Sequence, residues 1–485
     1  PAGKMVWTCC GGALLLYCGL MTWLSYDFNY GSPMLGRPII PMVLLMMAAA
    51  VVYFVAVYGA FRTTPTRRLA YGVFAVGAGM RLLMAPSLPI LEDDYYRYLW
   101  DGAAVAHGLN PYAHPPSVIQ ERGEGLSDAW RDLADDGGLV LHRVNHPQFG
   151  TVYPAVAQGA FALAHGISPW RLSGLRVLYC LLDGAVFALL ILLLRALGRS
   201  PLLVLIYWWN PLAIKEIYNS VHMDIVLIPL VLLTILWVIR GKLWWAMVPL
   251  ALAIATKIWP VLLAAPLLAG ARRSPKVIAG ALGVLISLSA VLLIPVVSAM
   301  TLGEDSGFVA YGTRWEMNDA LFMVFPWAIS SVADMAGGFV DGGTAHRGGK
   351  LIVMALVGLV VLWATRRSYF RAGETSTGAR DIETGRQLCG DLSWIVAALF
   401  LLSPTQFPWY FLWMLPLLCL VPQRALLAYT FFLPIYYLRF YFDAQGNVDL
   451  FHNGVVWLEH GPILLMLAVG VWGRVSLRKS SPTHP

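Results

Sequence analysis

The chain has 485 residues, 58% of them hydrophobic and only 13% charged, with a net charge of +7 and a mean hydropathy of +0.66. A soluble globular chain carries about 25% charged residues, so this composition excludes a soluble enzyme, and the continuous rather than alternating apolar runs exclude an outer-membrane barrel. The basic excess sits in short loops between apolar runs, which is the positive-inside pattern rather than a nucleic-acid surface; the bilayer, and no nucleic acid, is the expected partner.

Apolar runs lie at about 5–24, 38–61 and 69–86, each close to the roughly 20 residues that a helix needs to span a bilayer. The first is long enough to stay as an anchor rather than be cleaved as a signal, and the four residues before Met5 carry little weight for topology. Arg62, Arg67 and Arg68 mark a cytoplasmic loop. That puts the N-terminus inside and "LEDDYYRYLWDG" (91–102) outside, where Glu92, Asp93 and Asp94 open a long polar loop over 87–150. The run Tyr153–His165 is too short to span readily and reads as interfacial or re-entrant, so a large extracytoplasmic loop with interfacial helices extends over 87–165.

Spans follow at about 174–194, 201–218 and 222–240, with "RALGRS" and "RGK" inside and "YNSVHMD" outside. Within 243–270 two short apolar segments flank "TKIWP", which brings the following "ARRSPK" inside and places Lys257 at an outer turn. The same design recurs at 392–421 around "SPTQFPWY". Broken helices are tolerated at membrane depth where the backbone lines a cavity instead of facing lipid. The segment 366–391, with five Arg, and the basic "RVSLRKSSPTHP" end are expected in the cytoplasm. The expected architecture is all-α: a polytopic membrane protein of about 14 transmembrane helices, some short or broken. Both termini are expected inside, in a single membrane-embedded domain over 1–485 with an accessory helix pair at 1–65. Cys9, Cys10, Cys18, Cys180, Cys389 and Cys419 have no paired loop spacing and read as small hydrophobes.

This topology gathers the unusual polar residues on one outer face: Asp93 and Asp94, "HPQFGTVYP" (146–154), "NSVHMD" (219–224), Lys257, "YGTRWEMND" (311–319), "SPTQFPWY" (403–410) and "FHNG" (451–454). Polar groups at membrane depth mark functional sites, and seven loops converging on one side describe a single cavity at the outer leaflet. A carboxylate there serves as general base for a hydroxyl, a nearby cation holds a phosphate as it leaves, and Trp and Tyr line a groove for a lipid tail or stack on a sugar. Together these suit transfer from a lipid phosphate to a hydroxyl acceptor.

The pieces "LEDDYYRYLWDGAAVAHGLNPY", "NHPQFGTVYPAVAQGAF", "WNPLAIKEIYNSVHMDIV", "ATKIWPVLLAAPLL", "WEMNDALF" and "SPTQFPWYFLWMLPLL", in that order from about residue 90 to 420, resemble the GT-C class of multi-spanning glycosyltransferases. The resemblance is to the bacterial group related to polyprenyl-phosphomannose-dependent mannosyltransferases. It implies an inverting hexosyltransferase, most naturally a mannosyltransferase. The donor is a polyprenyl-phosphate sugar and the acceptor a hydroxyl on a membrane-associated glycan, glycolipid or protein. The implied setting is the bacterial plasma membrane, with the active site facing the periplasm or exterior. It also implies a catalytic acid in the first large outer loop, a role that maps to Asp93 or Asp94. Many relatives have one span before that loop where this chain has two, which leaves 1–65 without an assigned role.

Two neighbouring helical residues point about 100° apart, so one of the two acids is expected to face the substrate; Asp94, directly before the aromatic pair, is favoured. The bland alternative is a helix start whose acids complement the dipole. Lys257 and Arg314 are the phosphate candidates, with snorkelling to the headgroups as the alternative for Lys257. Arg97 is expected to pair with the neighbouring acids, and Lys215 with Glu216. His222, Asp224, Asn219, His146, Tyr153 and Asn318 are candidates for the sugar or acceptor. No cofactor is expected, and a divalent cation is not favoured because His222 and Asp224 diverge on a helix. Trp409, Tyr410 and Trp413 read as the lipid groove, or more simply as an aromatic belt. Two rival functions remain: a transporter or flippase of lipid-linked sugars, which predicts a polar path through the membrane, and a polymerase or ligase using a diphosphate donor, which calls for more outer arginines.

Overall fold

The computed structural model describes residues 2–479 apart from 124, 271–274, 301–305 and 372–380. The basic "ARRS" of the 270s loop, part of the Arg-rich 366–391 segment and the last residues of the C-terminal tail lie outside the described residues. The described residues are 77% helical and form no strands. A single parallel bridge joins Met317 to Thr405.

Eight described helices are long and apolar enough to cross a membrane: Met5–Ser25, Ile39–Arg62, Leu172–Ala196, Pro275–Met300, Gly342–Arg371, Ile382–Leu402, Arg424–Ala444 and Val448–Gly470. The pair Pro211–Asn219 and Met223–Ile239, bent by 101°, makes a ninth if it is one span. The sequence count of about 14 included segments that do not reach span length by themselves. Leu243–Ile254 and Trp259–Ala269 are short, as is Ala155–Ile167, which the sequence reads as interfacial or re-entrant and not as a span, and 201–219 is divided into 3-10, α and π pieces.

Lys257 does fall at the break between two short helices, Leu243–Ile254 and the run starting at Trp259. The second expected short pair is different. Its first member is the full helix Ile382–Leu402, which begins inside the segment read as a cytoplasmic loop. Asp381 caps it by accepting from Thr384 N at 2.7 Å, a cap that satisfies one of the free N–H groups at a helix start.

Residues 2–65 are part of the bundle. Ile39–Arg62 buries one face, including Met42, Met46, Ala50 and Tyr53. Tyr53 donates to Ile206 O at 2.7 Å and Tyr17 to Pro211 O at 3.2 Å. Those bonds hold the irregular 201–219 stretch, whose free carbonyls need partners away from water. Arg81 and Asp183 show how this interior accepts charge. Arg81 Nε donates to Asp183 at 2.5 Å, and its Nη1 reaches Gly77 O and Trp208 O. Tyr207 and Tyr218 complete the carboxylate. A buried pair is tolerated when every remaining donor and lone pair is met.

The polar loop forms a layer of short helices at one end of the bundle. Asp94–Ala106 lies against Ala155–Ile167, and this contact sets the depth of the acids. A Cβ on Gly102 would sit 2.4 Å from Phe161 O, so glycine is required for the two backbones to approach. At the opposite end of the Arg67–Met84 helix, residues Arg62–Pro65 meet Gly198, Arg199 and Arg386. Arg386 donates to Leu197 O and Gly198 O. The Arg-bearing segments at 62–65, 198–199 and 386 therefore share one end and the acids the other.

Candidate active site

The 91–94 turn enters the layer with Leu91 at φ 62°, a left-handed conformation that costs a non-glycine residue about 1–3 kcal/mol and persists where surroundings enforce it. Asp93 is the residue before the helix and Asp94 its first member. Neither is a simple cap, for neither side chain closes on the helix N–H groups. One amide joins them instead: Asn145 Nδ2 donates to Asp93 Oδ1 at 3.0 Å and to Asp94 Oδ1 at 2.7 Å. The Asp94 side chain stays 27% exposed. Burial, and secondarily Asp94, push the Asp93 carboxyl up to about 6. Burial also raises Asp94, against the pull of Asn145 and Lys257. Both carboxyls are thereby moved toward the range in which a base works near neutral pH.

The acids border a cavity of about 820 Å³, within the roughly 300–1,000 Å³ of small-molecule sites. Six of the seven expected loops reach its wall: 93–94, 146–154, 223–224, 257, 311–317 and 403–410. The seventh, "FHNG", does not. Phe451 packs with Ala320 and Val456 in a separate apolar cluster.

Lys257 is on the wall, and it is already paired. Its Nζ donates to Asp224 Oδ1 at 2.7 Å and lies 4.1 Å from the Tyr410 ring centroid and 4.7 Å from that of Trp413. Trp413 donates its indole N–H to the same Asp224 oxygen. Trp409, Tyr410 and Trp413 thus form the stacked inner wall rather than an outer belt. Tyr410 stacks on Trp413 at 4.2 Å and shares a 2.6 Å hydrogen bond with Tyr311. Arg314 is exposed at the rim, near the Phe149 ring. Tyr153 and His146 also line the cavity. His146 sits at φ 46° with its ring edge-on to Trp315, and burial lowers its proton affinity.

Three predicted site residues lie behind the wall. Asn219 donates to Ser87 Oγ and Leu88 O and accepts from Ile90 N, clipping the approach to the acidic turn. Asn318 donates to Gln406 O and Glu459 Oε1. His222 is fully buried, stacked on Trp409 with centroids 3.9 Å apart. His222 and Asp224 are not on one regular helix: Val221 at φ 59° turns the chain between the π and 3-10 segments. Arg97 does not pair with the acids. It donates to the carbonyls of Asn145, His146 and Phe149, so it orders the loop that carries Asn145. Lys215 and Glu216 do pair, at 3.5 Å, wholly buried.

Among the wall residues that the sequence did not single out, Asn145 and Arg439 carry polar groups into the site. Asn145 directly precedes the "HPQFGTVYP" loop, and an amide 51 residues from Asp94 leaves no local signal. Arg439 lines the cavity, and its Nε has no hydrogen-bond partner. Its signal is weak but real: a lone Arg inside the apolar, aromatic run "IYYLRFYF", where a charge needs a reason.

Residues 34–273 match the family model described as Alpha-(1->6)-mannopyranosyltransferase, N-terminal domain. No curated protein and no solved structure matches. The match begins before the Ile39–Arg62 helix, and it covers Asp93, Asp94, Asn145, His222 and Lys257 but not Arg314 or Trp409. Over residues 34–273, just under half of its length, the chain is similar to the alpha-(1->6)-mannopyranosyltransferase family, which supports a mannosyltransferase-like glycosyltransferase of the GT-C kind that its motifs resemble, and its eight long apolar helices suit a multi-pass membrane protein.

Proposed function

We propose that the protein moves a hexose, mannose in the first instance, from a polyprenyl-phosphate carrier to a hydroxyl of a membrane-associated glycan, glycolipid or protein. In this reading the cavity faces the outer side of a bacterial plasma membrane and both termini face the cytoplasm, supported by the Arg-bearing loops at the far end of the bundle. The bent and short helices around 211–269 and 408–420 supply further crossings, toward the about 14 expected. No cofactor enters the reaction as read here.

Asp94 is the base. It takes the acceptor's proton as the acceptor oxygen bonds to C1 and the C1–O bond to phosphate breaks, its electron pair leaving with polyprenyl phosphate. The configuration at C1 inverts. Lys257, Arg314 and Arg439 border the space where negative charge grows on the leaving phosphate. Tyr153, His146 and Asp224 offer hydrogen bonds to sugar hydroxyls, and the Tyr410–Trp413 wall offers an aromatic face. One observation carries this reading: two desolvated carboxyls tied to one amide face the same cavity as these cations. A flippase has less support, because the acids and the Arg-bearing loops occupy opposite ends of the bundle.

The test is sugar transfer from a synthetic polyprenyl-phosphate mannose by purified, folded Asp93→Asn and Asp94→Asn variants. Asp94→Asn is expected to lose the roughly 10²–10⁴-fold that a positioned general base supplies, and Asp93→Asn much less. Wild-type turnover by both would remove the catalytic reading.

A further inference from the structure

The packing of His222 does not explain why it is a histidine. The ring is fully buried, and neither nitrogen has a hydrogen-bond partner. An orphaned buried polar group is destabilising, and in native proteins it calls for a reason. A phenylalanine would stack on Trp409 equally well without that cost.

A carboxylate faces each nitrogen. Glu216 Oε2 lies 3.4 Å from Nε2, and Asp94 Oδ2 lies 3.9 Å from Nδ1. Glu216 is fixed from behind: its Oε1 accepts from Tyr437 at 2.6 Å and lies 3.5 Å from Lys215 Nζ. Lys215 in turn donates to Ser220 Oγ at 2.8 Å. The backbone is held just as firmly. His222 N donates to Glu216 O at 3.0 Å, and the β-branched Val221 occupies the left-handed region at φ 59°, a conformation kept only where surroundings enforce it. The strained turns at Leu91 and Val221 thus deliver Asp94 and His222 to each other from two separate segments.

We infer that His222 is a positioning and proton-holding partner of Asp94, in a line Glu216–His222–Asp94; this rests on the reading of Asp94 as the base. Neutral His222 keeps its proton on Nε2, toward Glu216, and turns the Nδ1 lone pair to Asp94. When Asp94 takes the acceptor's proton, that proton passes on to Nδ1. The imidazolium then lies between two carboxylates, and Asp94 is a carboxylate again while C1 carries its positive charge. After release of products the proton returns through Asp94 to cavity water. The Asp94–His222 gap has to close by about 1 Å for a hydrogen bond, and such bonds are often long before substrate binds. The charged groups around the ring are Glu216 and Lys215 from the preceding segment, Asp94 from the Asp94–Ala106 helix and Lys257 from the turn at the cavity wall. Trp409 covers one face.

The experiment compares wild type, His222→Phe, His222→Gln and Asp94→Asn, purified and folded, in single-turnover transfer from polyprenyl-phosphate mannose. His222→Phe is expected to keep or raise the melting temperature, because it removes two unpartnered nitrogens. Its transfer rate is expected to fall at least roughly tenfold, with the donor concentration for half-maximal rate within about twofold of wild type. In mixtures of light and heavy water the wild-type rate should follow a bowed proton inventory and the Phe variant a linear one. Should the Phe variant not fold, His222→Gln carries the same comparison. A wild-type rate in the variant, or a bowed inventory that survives it, overturns the relay. If Asp94→Asn is inactive while His222→Phe matches wild type, only the relay falls; if Asp94→Asn is active, the base reading falls with it.

Discussion

Asp93 and Asp94 are adjacent in sequence, and their surroundings give them different work. Asp93 is the more instructive for stability. Its carboxyl is pushed up from 3.8 to about 6, first by burial and then by Asp94. A raised value means that the folded protein holds the proton more tightly than the unfolded chain does. The corresponding stabilisation is complete below about pH 4 and is lost as pH rises through about 6. Asp93→Asn removes the desolvated charge and keeps an acceptor for Asn145, so its melting temperature at neutral pH should equal or exceed wild type. The pH dependence of melting between about pH 4 and 7 should flatten in the variant; thermal unfolding in detergent across that range measures both. Lys257 poses the opposite problem. Its charge neutralises buried Asp224, so Lys257→Met leaves that carboxylate unpaired and should cost stability as well as donor binding. The double variant Lys257→Met/Asp224→Asn should recover the melting temperature. It should still use donor about tenfold less well, as expected for loss of a charge-assisted bond of roughly 1.5–3 kcal/mol. Full recovery of donor use would show that Lys257 serves only Asp224.

The helix Asp94–Ala106 acts as the lever that sets the depth of the acids, and its fulcrum is Gly102 over Phe161 O. Gly102→Ala forces the two backbones apart, an overpacking that typically costs 1–3 kcal/mol. It should lower both the melting temperature and the transfer rate, because Asp94 moves with its helix; a variant with unchanged transfer would show that the acids are held by Asn145 alone. Helix breaks were unequally legible in the sequence. The break at Lys257 shows because a charge and Pro260 interrupt two apolar runs of about equal length. The helix Ile382–Leu402 was hidden because its first turns are polar, "IETGRQLCGD", and hydropathy marks only the part that lipid or apolar neighbours cover. The 201–219 stretch read as an ordinary span because apolar composition does not record backbone geometry. Its short α pieces are held by Tyr17 and Tyr53, which donate to Pro211 O and Ile206 O, and by Asn210, which accepts from Ala213 N as a local cap and donates to Thr430 Oγ1 far along the chain.

At the scale of the whole molecule, the proposed orientation rests on charge. Helix Arg67–Met84 separates the Arg62–Pro65 end from the acidic turn, about 27 Å at 1.5 Å per residue. A cysteine at Ser127, exposed in the polar loop, should be labelled from outside intact cells, and one at Thr64 only after the membrane is opened; both belong in a chain whose exposed Cys9 and Cys180 have been replaced. Labelling of both from the same side would invert or break the proposed topology. Apolar run length and the placement of Arg are local properties, so the sequence alone determined the membrane class, the end of the bundle that carries the acids, and the identity of Asp93, Asp94 and Lys257 as candidates. Partnership is not local. That Lys257 pairs with Asp224, that Arg97 orders carbonyls rather than acids, that Asn145 and Arg439 belong to the wall, and that His222 stands behind Asp94 were decided only by tertiary structure. Each depends on a contact between segments far apart in the chain, and a residue's charge or hydropathy does not record which neighbour will reach it.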